Sequence, residues 1–223
     1  MRAMVLAAGR GERMRPLTDT TPKPLLEVGG QPLIAYHLRA LAHAGVTEIV
    51  VNLSWLGERI RAALEDGRAY GVRILYSEEG PVPLETGGGI HHALALLGPE
   101  PFLVVNGDIW TDFDFRHLVL DEAADARLVL VPNPEHHLRG DFGLDADRIV
   151  VRDTDRLTYA GIGVYRPEFF AGCQPGRFPL LPLLVRAINA RRLRGPRHAG
   201  AWLDVGSPAR LAAVDAKIRA ARR

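Results

Sequence analysis

Between Leu6 and Leu26 the sequence reads LAAGRGERMRPLTDTTPKPLL, in which Gly9 and Gly11 are followed by Arg13 and then by Lys23. Glycines expose backbone amides to an anion, and two cations at separate points supply charge that a phosphate chain meets at more than one oxygen. Lys23 stands out because only it and Lys217 are lysines among 28 Lys and Arg residues. A compact ammonium on a flexible stem is not interchangeable with a planar guanidinium. Three phosphate-loop readings compete. The dinucleotide fingerprint GxGxxG needs a third small residue where this chain has Met14, and the P-loop needs a Gly-Lys-Ser/Thr ending that is missing. What remains is a plain tight turn, or a glycine-rich turn whose amides meet phosphate oxygens with Arg13 and Lys23 alongside.

Further along, FLVVNGDIW puts Asp108 where a buried strand leaves the core, and WLDVGSP puts Asp204 before a glycine turn and the last helix. Asp108 reads either as a turn or cap residue or as a ligand of Mg²⁺, which takes one or two carboxylates when it sits on phosphates. PLETGGGIHHAL opens a helix with three glycines, each costing roughly 1 kcal/mol inside a helix. Close backbone approach to a ligand explains the run better than a flexible helix entry. Adjacent histidines point in different directions, which argues against zinc at His91 and His92 or at His136 and His137. Asp141, in HHLRGDFGL, reads as a turn residue.

These residues need elements to hold them. RAMVLAAG, TEIVVNL, VRILYS and PFLVVNGD read as short buried strands, and PLIAYHLRALAHAG, WLGERIRAALEDG and GGIHHALALLG as helices between them. In the first helix Ile34, Leu38, Leu41 and Ala42 share a face, with Gly45 as its stop. Such alternation predicts an α/β fold with a mainly parallel central sheet, and ligands bind beyond the carboxyl ends of its strands. After Asp112 the pattern turns antiparallel, with a hairpin tip at Asp145 to Arg148. Two helices close the chain, LPLLVRAINARR and SPARLAAVDAKIRAARR, the second with Ser207 as N-cap and Pro208 first in the helix. With no repeat, linker or boundary, residues 1–223 are expected to form a single domain.

Composition narrows the function. The net charge of +2 gives no global field toward nucleic acid or a membrane surface, and the basic runs ARRLRGPRH and KIRAARR lack the interleaved aromatics that stack on bases. Neither nucleic acid nor membrane is an expected partner. Cys173 is the only cysteine, reads as a small buried hydrophobe, and fits a reducing, cytoplasmic location.

GRGERMRPLT followed by PKPLL resembles the signature of the sugar-1-phosphate nucleotidylyltransferases. The resemblance implies a Rossmann-like nucleotide-diphospho-sugar transferase fold with an antiparallel sugar-binding part. It makes Arg13 and Lys23 the catalytic cations on the triphosphate and the transferred phosphoryl group. Leu6, Ala8, Gly9, Gly11 and Glu12 join them in binding the nucleotide, and Glu85, Thr86 and Gly87 meet its base and ribose. Asp108 and Asp204 become the Mg²⁺ ligands, and Asn106, Asp141 and Arg139 the sugar-binding residues. The chain departs from many relatives in lacking a Glu-Lys-Pro motif in VVRDTDRLTYAG, so a sugar assignment copied from those relatives is in doubt.

Across its whole length the chain is most similar to short family members that serve peptidoglycan recycling. That implies UTP and N-acetylmuramate α-1-phosphate as substrates, with Arg139 beside the lactyl carboxylate, and UDP-N-acetylmuramate and pyrophosphate as products. The alternatives are guanylyl or thymidylyl transfer to a hexose 1-phosphate or, from another class, a non-catalytic nucleotide sensor. A phosphate monoester with a second pKa of about 6 is already largely anionic at neutral pH. The transfer therefore calls for positioning and charge neutralisation and no general base.

Overall fold

The computed structural model describes residues 1–221. The chain begins with strand β1 (Ala3–Leu6) and a helical turn α1 (Leu17–Thr20), followed by β2 (Glu27–Val28) and β3 (Gln31–Pro32), which lead into helix α2 (Leu33–His43). Strand and helix then alternate through β4 (Glu48–Leu53), α3 (Gly57–Leu64), β5 (Arg73–Glu78), α4 (Glu85–Leu97) and β6 (Phe102–Asn106). The second half carries β7 (Ile109–Thr111), β8 (Ala126–Val131), β9 (Phe142–Asp145), β10 (Arg148–Val150) and β11 (Arg156–Tyr165). It ends with α5 (Leu181–Asn189), β12 (Leu193–Arg194), β13 (Trp202–Asp204) and α6 (Pro208–Ala221). Arg222 and Arg223, the end of the run read as the last helix, lie outside the described residues.

Nine strands form one mixed sheet in the order β5-β4-β1-β6-β11-β8-β12-β10-β9. β5, β4, β1 and β6 are parallel; β11 runs antiparallel to β6 and starts the mostly antiparallel half. The parallel half covers the expected α/β arrangement. The chain moves outward from β1 to β4 and β5, then returns to β6 on the other side of β1. A crevice opens at such a reversal, beyond the carboxyl ends of β1 and β6.

Both faces of the sheet are covered. On one, Ile34, Leu38 and Leu41 of α2 pack on Val5, Ile49 and Val51, with Ala42 only partly buried at the edge of the stripe. On the other, Ile90, Ala93 and Leu97 of α4 and Leu183 and Leu184 of α5 pack on Met4, Val50 and Val104. Burying each such aliphatic side chain contributes roughly 1.5–3 kcal/mol. A third cluster joins Met14 of the glycine-rich loop to Leu33, Val205 and Val214 and Ile218 of α6.

Local signals match their elements. Gly45, at φ 80°, follows α2, and Ser207 Oγ accepts the Arg210 N–H at 3.3 Å to cap α6. Arg148 lies opposite Asp145 in the β9–β10 hairpin, which makes Ala146 and Asp147 its tip. The β7–β13 ribbon was not legible in the sequence. It sets Asp204 opposite Ile109, and Val205 N–H donates to Asp108 O at 2.8 Å, bringing the two aspartate segments side by side.

Candidate active site

The crevice is a cleft of about 710 Å³. Its construction starts at Gly107, whose N–H donates to Leu6 O at 2.9 Å. A Cβ at Gly107 would stand 2.6 Å from that oxygen, so only glycine lets the ends of β1 and β6 approach this closely. Asp108 is thereby set beside the glycine-rich loop. Leu6, Ala8, Gly9, Gly11, Glu12 and Arg13 line one wall, Lys23, Asn106 and Asp108 the floor between the strand ends, and Glu85 and Thr86 the opposite rim.

The loop is braced from several elements. Thr18 Oγ and Met14 N–H both donate to Gly11 O at 2.8 Å, and the buried Met14 side chain pins the turn to the core. Trp55 Nε1 donates to Thr18 O at 3.0 Å, and the Arg10 guanidinium lies 4.6 Å from the Trp55 ring centroid. Asn52, near the end of β4, accepts the Ala7 N–H at 2.6 Å and donates to Glu79 Oε1 at 2.6 Å. Glu79 Oε2 in turn accepts the Leu84 N–H at 2.7 Å. Asn52 and Glu79 thus tie both rims together, and both line the cleft. The sequence held one signal for this pair, a polar residue inside the apolar strand EIVVNL.

Lys23, only 9% exposed, places Nζ 2.5 Å from Asp108 Oδ2. Behind them, buried His37 donates from Nε2 to Ile109 O at 2.8 Å and fixes the backbone next to Asp108. Burial lowers the His37 pKa from its ordinary 6.5 to about 4, outweighing the opposing effects of that hydrogen bond and of the Asp108 charge.

Four expected site residues lie elsewhere. Gly87 is buried and does not line the cleft, and what approaches the glycine run is this chain's own backbone and side chains and not a ligand. A Cβ at Gly87 would stand 2.6 Å from the Phe178 ring, one at Gly88 2.2 Å from Gly176 O, and one at Gly89 2.4 Å from Glu79 Oε1. Asp141 engages both carboxylate oxygens within the chain, with His137 Nε2 at 3.0 Å and Tyr159 N–H at 2.8 Å. Arg139 is exposed on a turn outside the cleft lining. Asp204 accepts from Arg210 at 2.8 Å and lies 3.1 Å from His136 Nε2, while the cleft reaches only to nearby Gly206. His136 and Arg177, which also lines the cleft, carried no sequence signal for these positions.

The donor chemistry fits a hard divalent cation. Asp108 offers carboxylate oxygen at the cleft, and the charge now facing it is a single ammonium. Asp204 can add a second carboxylate when Arg210 and His136 release it. Among the described residues no cluster of three or more His, Cys, Asp or Glu that could hold a metal ion is present. No helix among the described residues is long and apolar enough to cross a membrane.

The family model for nucleotidyl transferases matches residues 2–158. A Neisseria meningitidis serogroup B protein named N-acetylmuramate alpha-1-phosphate uridylyltransferase is 54% identical over 220 residues, covering 95% of each chain. A Caulobacter vibrioides protein of the same name is 40% identical over 232 residues, covering 97% of this chain and 96% of its own. A crystal structure from Bacillus anthracis, assigned as a glucose-1-phosphate thymidylyltransferase in complex with sucrose, superposes with a TM-score of 0.87. That match covers 98% of this chain and 95% of the other at 20% identity, a likeness of fold alone.

Proposed function

The chain belongs to the nucleotidyl transferase family, and from that premise we propose that it transfers UMP from UTP to N-acetylmuramate α-1-phosphate, giving UDP-N-acetylmuramate and pyrophosphate. The observation that carries the reading is one cleft where the glycine-rich loop, the Lys23–Asp108 pair and the Glu85–Thr86 helix start converge. The names of the two uridylyltransferase relatives supply the substrate pair.

An oxygen of the sugar 1-phosphate attacks the α-phosphorus, and the bond from that phosphorus to the β-phosphate oxygen breaks, its electron pair leaving on pyrophosphate. No proton has to be removed from the nucleophile. The amides of the Gly9–Gly11 turn and Arg13 hold the β- and γ-phosphates and steady the leaving group. Lys23 neutralises the phosphates that react. Leu6, Ala8 and Glu12 shape the nucleotide wall, and Glu85 and Thr86 hold base and ribose. Mg²⁺, when bound, would be held by Asp108 with Asp204 and would supply positive charge to the phosphate oxygens of both substrates.

Asn106 faces the sugar phosphate from the end of β6. Arg139, for the lactyl carboxylate, and Asp141, for the sugar, lie outside the cleft lining and take these roles only if the turn that carries them moves onto the bound sugar and Asp141 gives up one of its internal partners. We place the reaction in the cytoplasm, as a step of peptidoglycan recycling carried out by residues 1–223 as a single domain. The test is pyrophosphate release with Mg²⁺ across UTP, dTTP, GTP and CTP, each paired with N-acetylmuramate, N-acetylglucosamine, glucose and mannose 1-phosphates. Release mainly from UTP with N-acetylmuramate 1-phosphate is expected. A different best pair would replace the substrate, and silence throughout would remove the transfer reaction.

A further inference from the structure

Arg177 belongs to the connection between β11 and α5, yet it lines the cleft with Nε 2.9 Å from Glu85 Oε1 at the start of α4. The backbone is built to bring it there. Phe178 N–H donates to Leu84 O at 3.1 Å and Gly88 N–H to Phe178 O at 3.0 Å, lacing the two segments together. The glycines at 87 and 88 leave the space that Phe178 and the Gly176 carbonyl fill. Glu85 itself has φ 62°, a conformation that non-glycine residues seldom adopt and that clusters at ligand sites.

Stability does not account for this arrangement. With the Arg177 side chain 62% exposed and that of Glu85 38%, the ion pair contributes little to folding. Its position in the cleft gives it a different use. We propose that Glu85 and Arg177 together read the edge of the nucleobase, the carboxylate accepting a ring N–H and the guanidinium donating to the carbonyl beside it. This inference rests on the nucleotidyl-transfer reading of the cleft.

The chemistry selects one class of base. Uracil presents N3–H between two carbonyl oxygens, which an acceptor beside a donor satisfies. Held in the same register by its ribose and phosphates, with the carboxylate at N3 and the guanidinium on the side of C4, cytosine presents a lone pair to the carboxylate and an amino group to the guanidinium, leaving both charged groups unpaired. A site that leaves charged groups unpaired against the wrong ligand rejects it strongly. The pair therefore separates UTP from CTP and leaves UTP and dTTP, which share this edge, undivided. Pro81, Val82 and Pro83 line the same rim and offer an apolar surface to the face of the ring.

Calorimetric titration of the full chain with UTP and with CTP, in Mg²⁺ and without sugar phosphate, tests the assignment in the wild type, Arg177→Gln and Glu85→Gln. The wild type should bind UTP at least about tenfold more tightly than CTP, and each variant should lose most of that ratio while melting near the wild-type temperature. Two variants are used so that a folding defect in one leaves the other to decide. A wild type that prefers UTP with both variants keeping the full ratio would overturn this assignment alone. A wild type that binds neither nucleotide would overturn the reading of the cleft and this assignment with it.

Discussion

Lys23 Nζ lies 2.5 Å from Asp108 Oδ2, so the glycine-rich loop and the end of β6, far apart in sequence, meet in one ion pair on the floor of the cleft. A nearly buried ammonium needs a counter-charge, and Asp108 provides it. The pair also explains why this loop carries one of the chain's two lysines. Between Pro22 and Pro24, both buried, there is room for a slender stem and a point charge, which can turn from a carboxylate to a phosphate by rotation of its own side chain.

Replacing Lys23 by Ala should lower kcat by about 10²- to 10³-fold, the scale of losing one aimed charge or donor at a transition state. Stability should change little, because the Asp108 side chain is 40% exposed and water can hydrate it once the ammonium is gone. Lys23→Arg should restore charge without restoring rate, since a planar fork does not fit the same space. Steady-state kinetics and a melting curve check both points; near-normal turnover in Lys23→Ala would remove Lys23 from the chemistry.

Asp108→Asn should abolish saturation of turnover by Mg²⁺ within the millimolar range, whereas Asp204→Asn should raise the Mg²⁺ concentration needed for half-maximal rate. The two differ because Asp108 lines the cleft while Asp204 must first leave Arg210 and His136. Chelation should silence the wild type and recover on adding Mg²⁺. An Mg²⁺ response in Asp108→Asn equal to that of the wild type would separate this carboxylate from the metal.

What the sequence disclosed and what it hid divide along physical lines. Apolar runs and helical stripes depend on neighbours close in the chain, so β1, β4, β6 and the buried face of α2 were legible, as was the loop from Gly9 to Lys23. The Asn52–Glu79 brace, the His136–Asp204 contact and the Glu85–Arg177 pair join residues from separate elements, and only the closed topology brings them together. The glycine run of α4 shows the same limit. The sequence showed that something comes close, and the structure identifies it as Phe178 and Gly176 of the same chain.

His37 should make stability fall on mild acidification. Its pKa, lowered to about 4 by burial, returns to the ordinary 6.5 in the unfolded chain, which therefore binds more protons between those values. The contribution is fully present above the unfolded pKa and is lost as the pH falls toward the folded one, amounting to roughly 3 kcal/mol near pH 4. Denaturant unfolding between pH 7 and 4.5 should give a steeper decline for the wild type than for His37→Gln, whose amide can still donate to Ile109 O. Parallel curves would show that another group sets the acid sensitivity.

Gly88→Ala and Gly9→Ala should separate a glycine needed for folding from one needed for a ligand. A methyl group at Gly88 would stand 2.2 Å from the Gly176 carbonyl oxygen, and a backbone atom cannot swing aside as a side chain can. Relief requires α4 and the 176–179 segment to part, at a cost of about 1–3 kcal/mol, or a fall in melting temperature of about 2–12 °C for a chain of this size. Parting them also moves Arg177 from Glu85, so UTP affinity should drop along with stability. Gly9 has nothing within 4 Å of its Cβ position and lines the cleft, so Gly9→Ala should melt like the wild type. Its methyl group projects into the space assigned to the phosphates, and UTP should bind at least tenfold more weakly on the scale of one or two displaced hydrogen bonds to an anion, each about 1.5–3 kcal/mol. Loss of stability in Gly9→Ala would show that this glycine serves the fold, and unchanged UTP binding with normal melting would remove the first turn of the loop from nucleotide binding.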